Sequence, residues 1–204
     1  MLDTVQRSIA ALAFTAVVAA NASFALLSAS FDYPDILLEP DAMARFQANA
    51  GVIGSEFALL AFSAALLAPL ALLLHRRTAW LGVTAAVVQV VGLLRWPLLV
   101  PHVTDPATFD TLNLVLGVVI GETLGYLFTA AWTVAVVRAL GIAPWLGWPS
   151  AVMIASGVLT PLHVPGADVV NFAGYLLWSA WLVMVGVRSL RPRPSGVLVP
   201  SAGS

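Results

Sequence analysis

The chain is 204 residues long, 60% apolar and only 9% charged, with a mean hydropathy of +0.96 and a formal net charge of −1. This composition excludes a soluble globular domain. The absence of cysteine excludes disulfide, thiolate and iron–sulfur chemistry.

Six nearly uncharged stretches follow one another, at about 8–30, 52–74, 79–101, 112–137, 146–163 and 167–187. Each is long enough to cross a ~30 Å hydrocarbon core as an α-helix. The predicted fold is therefore all-α, a six-transmembrane-helix bundle forming one domain over residues 1–190. The remainder, 191–204, is proline- and serine-rich and reads as a disordered cytoplasmic tail. Its arginines suit anchoring to anionic lipid headgroups, and no nucleic-acid partner is implied.

In the first stretch Ala20-Asn21-Ala22 has the form of a signal-peptidase site. The apolar run continues to Leu27 and the region before it is barely basic, so a retained span is expected. The loop from Phe31 to Ala50 is acidic, with Pro34 and Pro40 as turns. It reads as a solvated connector, with a lid resting on the membrane through Ile36, Leu37 and Leu38 as the alternative. The second stretch carries Glu56, the third Arg95-Trp96-Pro97, and the fourth Glu122, Tyr126 and Thr129 on one face. The fifth ends at His163, and the sixth carries Asn171 and Tyr175 one turn apart. Gly117, Gly121 and Gly125 recur every four residues, a spacing that lets another helix approach closely, from the same chain or from a second copy in a homo-oligomer. Trp80, Trp96, Trp145 and Trp148 fall near span ends, where indoles anchor at the membrane interface.

Arg7, Arg76, Arg77, Arg138, Arg188, Arg191 and Arg193 fall on one side of the six spans. The opposite loops hold aspartates and glutamates with only Arg45 among them. By the positive-inside rule both termini are cytoplasmic. All nine basic residues are arginine and alanine is abundant, which points to a GC-rich bacterial genome and an inner-membrane location.

Two pairs of segments repeat. WLGVTAAVVQVVGLL from Trp80 recurs as WLGWPSAVMIASGVL from Trp145, and GYLFTAAW from Gly125 recurs as GYLLWSAW from Gly174. A fainter echo lays EFALLAFSAA from Glu56 over ETLGYLFTAA from Glu122. The chain thus reads as three helical hairpins in a parallel internal repeat, with Glu56, Glu122 and Asn171 in equivalent places. Counting ~1.5 Å per residue from the cytoplasmic arginines puts Glu56, Arg95, Glu122 and Asn171 about 24–30 Å up, with His163 at the same level.

Ionisable residues at such depth are costly and point to a site. Arg95 is expected to pair with Glu122 or Glu56. One arginine neutralises only one carboxylate, leaving a second acid for proton transfer. Glu56, Glu122 and Arg95 are the candidate catalytic groups, and Tyr126, Asn171, Tyr175, His163 and Trp96 the candidate substrate-binding ones. They are expected to converge on a cavity open to the outer side, suited to a small lipophilic molecule such as a prenyl chain, quinone or lipid-like precursor. The alternatives are a small proton-coupled transporter and a non-catalytic subunit of a membrane complex. His102 and His163 lack any HxxxH or ExxH spacing, and neither a metal nor a cofactor is implied.

Several short features together resemble a bacterial integral membrane family, domain of unknown function 4386. They are the acidic first outer loop, Arg45-Phe46 and Asn49, Gly121-Glu122, Trp132, and the turn Gly141-Ile142-Ala143-Pro144 with Trp145-Leu146-Gly147. The resemblance implies a six-helix membrane bundle and brings no activity or catalytic residue with it.

Overall fold

The computed structural model describes residues 4–39 and 41–191. Most of the expected tail, including Arg193, lies outside the described residues, as does Pro40. Six helices are long and apolar enough to cross a membrane: α1 (Thr4–Phe31), α2 (Ala50–Leu74), α3 (Ala79–His102), α4 (Pro106–Leu140), α5 (Pro144–Leu162) and α6 (Ala167–Ser189). Among the described residues the remaining regular elements are also helical, namely one turn at Asp35–Leu38 and a short helix at Ala42–Ala48.

Proline shapes several of these helices. Pro69 has no N–H to give to the carbonyl of Ala65, and α2 is interrupted at Leu66. Pro161 lies in the tightened 3₁₀ end of α5, Ser156–Leu162. Between α4 and α5, Gly141 takes the left-handed conformation (φ 61°) that ends a helix, and Pro144 opens the next one at its first turn. The middle of α4, Asn113–Leu124, is π-helical, with about one extra residue per turn over three turns.

Each helix packs against its neighbours in sequence, and α6 closes on α1, so the six form a ring. At the end holding Arg7, Arg138 and Arg188, the ring is filled by Leu70, Ala71, Val136, Val185 and the indoles of Trp132 and Trp181. At the other end Phe31, Phe46, Phe57, Trp96 and Phe109 form a second cluster, with Phe57 stacked on Trp96 at 4.6 Å. Ile36 and Phe46 are buried there, so the first outer loop is a packed cap and not the solvated connector expected. Gln47 ties this cap to the next outer loop by donating to the carbonyl of Val103 at 2.6 Å. The two aromatic clusters leave a cavity between them.

Candidate ligand cavity

The cavity has a volume of about 290 Å³ and is bounded by all six helices and the first outer loop. The two charged groups that lie inside the ring, Arg95 and Glu122, come from α3 and α4, while α6 adds Asp168, exposed at its first turn. Arg95, 4% exposed, comes from the end of α3. Its Nε donates to Asn113 Oδ1 at 3.1 Å, and Nη1 donates back to the carbonyl of Gly92 at 2.5 Å. The third nitrogen, Nη2, fits against α4 because residue 117 is glycine: a Cβ there would sit 2.6 Å from it. One and two turns further along α4, Gly121 meets Gly92 and Gly125 meets Gln89. The four-residue glycine stripe is therefore occupied within the chain, as the groove that receives α3.

Glu122 faces the cavity from the π-helical stretch. Its carboxylate makes no hydrogen bond to any described residue, and the only ion pair among them is Arg45–Asp32 on the outer loop, at 2.5 Å. The expected Arg95–glutamate salt bridge is absent among the described residues. The guanidinium is held instead by a carbonyl of its own helix and by Asn113, which leaves Arg95 and Glu122 interacting through space. Tyr33 of the outer loop completes this end of the cavity. Burial and then the nearby Glu122 push its hydroxyl above the ordinary tyrosine range, while Arg95 acts in the opposite sense.

Deeper in the cavity the wall becomes amphipathic. Tyr126 and Tyr175 meet edge to face with ring centroids 5.9 Å apart. Gln89 donates to Thr129 at 2.8 Å and Trp178 donates to Thr133 at 2.8 Å. Asn171 reaches across from α6 and donates to the carbonyl of Ile154 at 2.7 Å. Ile154 lies just before α5 tightens, and Gly157 leaves the space that the Asn171 amide and the Tyr126 ring share.

Arg95, Glu122, Tyr126, Asn171 and Tyr175 all line this one cavity. Glu56 does not join them. It sits between α1 and α2, where Ser30 Oγ donates to its Oε2 at 2.5 Å and Ser23 Oγ donates to its backbone carbonyl at 2.6 Å. Its carboxylate ties two helices together. Trp96 is fully buried in the outer aromatic cluster and off the cavity wall. His163 is exposed at the end of α5, its Nδ1 3.1 Å from the carbonyl of Pro161. Among the described residues no three histidine, aspartate or glutamate side chains gather as a metal site.

Sequence reasoning passed over Asn113, Gln89 and Tyr33. Gln89 and Asn113 had a signal, since amide side chains in long apolar runs are unusual and need partners. Tyr33 had none, because only the folding of the outer loop brings it to the cavity.

No family model, no curated protein and no solved structure matches the chain. The likeness to the domain-of-unknown-function family rests on its short motifs alone.

Proposed function

We propose that this is a bacterial inner-membrane protein whose cavity binds a small lipophilic molecule and acts on it through carboxylic acid chemistry. The observation that carries the reading is a carboxylate and a guanidinium on one cavity wall, inside six apolar helices, that do not pair with each other. Had they been structural ties alone, the low dielectric would favour direct contact between them. Glu122 is the proton-transfer group in this reading, accepting a proton as the carboxylate and returning it as the acid, Arg95 orients the ligand's polar group, and Tyr126 and Tyr175 hold its apolar body. Glu56 loses its proposed catalytic role to Glu122 because its carboxylate is engaged with Ser30. A proton-coupled transporter would need a route to both sides of the membrane. The indoles of Trp132, Trp178 and Trp181 pack together across the inner end of the cavity, and none of them titrates.

We also infer that both termini are cytoplasmic, on the strength of the arginine distribution. The parallel repeat is part of the same reading. It is supported by one matched contact in each of two hairpins: Gly82 packs on Trp132, and its counterpart Gly147 packs on Trp181.

The test is lipid analysis of purified protein. Wild type should carry a lipophilic molecule that Glu122→Gln and Arg95→Ala lose or fail to convert, whereas Glu56→Gln should keep it. An identical extract from all four proteins would sink the reading.

A further inference from the structure

The chemical class of the ligand can be narrowed from the polar groups that face it, taking the ligand-binding reading of the cavity as given. Three charged side chains line the cavity: Asp168 is exposed to solvent at the first turn of α6, and the two that lie inside, Arg95 and Glu122, sum to zero charge. The Glu122 carboxylate and the hydroxyls of Tyr33 and Tyr126 make no hydrogen bond to any described residue, yet none of them is sealed away from the cavity. A phosphate in this space would bring about two negative charges beside Glu122, against a single arginine. An amine would place a second cation beside Arg95. Either leaves uncompensated charge in a low dielectric, where an unpaired ion is strongly disfavoured. A hydroxyl avoids this, because one oxygen accepts from the guanidinium while its proton is donated to the carboxylate.

The rest of the wall sets the body of the molecule. Asn171 and Gln89 each already give an amide hydrogen to the protein, to Ile154 and Thr129. Below them the lining is Leu67, Leu70, Trp178 and Leu182. At ~30 Å³ per water-sized group, 290 Å³ holds about ten such groups, a stretch of chain and not a two-tailed lipid. A longer chain has a way out between α1 and α6. Phe172 and Leu176 line the cavity on the α6 side of this seam and are 43% and 47% exposed.

We propose that the ligand is a neutral, hydroxyl-headed, single-chain lipid, with its hydroxyl between Arg95 and Glu122 and its chain along the α1–α6 wall.

The experiment compares head groups on one chain. Purified protein in nanodiscs is incubated with radiolabelled farnesol, and unlabelled farnesol, farnesyl phosphate and farnesylamine compete for it, with protein-free nanodiscs as background. Farnesol should compete at least about tenfold better than the phosphate or the amine, the size of effect expected from about 1.4 kcal/mol of head-group discrimination. Glu122→Gln, which keeps the shape of the side chain, should weaken farnesol and narrow its advantage over the phosphate. The wild-type comparison does not depend on any variant folding. Equal competition by all three, or preference for the phosphate or amine, would overturn the hydroxyl assignment and leave the ligand-binding reading standing. Failure of farnesol to bind above background while none of the others binds directly would remove both.

Discussion

Two tryptophans in matched places show how much a single polar atom decides. Trp132 and Trp181 are both fully buried at the inner end of the ring, 5.7 Å apart. Trp181 Nε1 donates to the carbonyl of Ile142 at 3.0 Å, whereas Trp132 Nε1 has no partner among the described residues. A buried N–H without a partner costs free energy, and a buried carbonyl that loses its donor does too. Trp132→Phe should therefore be milder than Trp181→Phe, by about 1 kcal/mol on the usual net worth of a hydrogen bond. Thermal unfolding of the two variants in the same detergent checks this, and the reverse order would refute it. Asp105 gives a second case at this scale. The N–H and hydroxyl of Thr108 both donate to its carboxylate at 2.9 Å, at the head of α4. These bonds hold its pKa below the ordinary 3.8. The folded value lies below the unfolded one, so the stabilisation is present above pH 3.8 and fades as the pH falls through the folded value. Asp105→Asn should flatten that acid limb of a stability–pH curve while ligand binding stays as in wild type.

At the scale of elements, the α3–α4 contact carries the cavity. A Cβ at residue 92 would sit 2.5 Å from the Cα of Gly121, a clash with backbone that cannot swing aside. A Cβ at residue 117 meets only the tip of the Arg95 side chain, which can move. Gly92→Ala should therefore lower stability, by about 1–3 kcal/mol as for other overpacked sites. Gly117→Ala should leave stability closer to wild type but displace the guanidinium and weaken ligand binding. Equal loss of stability in both would mean that Arg95 is fixed as rigidly as backbone. The same contact marks the limit of what the sequence could tell. The six spans were legible because an uncharged run of sufficient length has few alternatives in lipid. The glycine stripe was legible as a close-packing face. The π-helical register of Asn113–Leu124 was not, because no residue type signals an i→i+5 pattern. That register and the Gly117 notch set the separation of Arg95 from Glu122, so the expected salt bridge failed for a reason the sequence hides. Glu56 failed differently. Its place in the repeat gave its depth but not its face, and the informative signal was on α1, where Ser23 and Ser30 stand two turns apart on one side.

For the whole molecule, the ring is held differently along its seams. The α2–α3 and α3–α4 seams are packed by buried side chains and glycines, and the outer cap is locked by aromatic contacts. The α1–α6 seam has two modest ties along the cavity: Phe24 stacked on Phe172 at 5.0 Å, and Asn21 donating to Ser179 at 3.1 Å. Asn21, Phe24, Phe172 and Ser179 all line the cavity, and Asn21 and Phe172 are exposed. One hydrogen bond is worth about 1 kcal/mol net, and an aromatic pair about as much. Neither tie belongs to the buried aromatic cluster under the cap, so the seam can part there while the cap stays in place, and exchange of a lipophilic molecule should run sideways into the bilayer. The chain has no cysteine, which makes a clean test possible. Asn21→Cys and Ser179→Cys in one protein, joined by a short thiol-reactive cross-linker, should slow release of bound radiolabelled farnesol severalfold. Each single cysteine treated in the same way should leave release unchanged. Release that is as fast after cross-linking as before it would move the route from this seam to the cap around Tyr33.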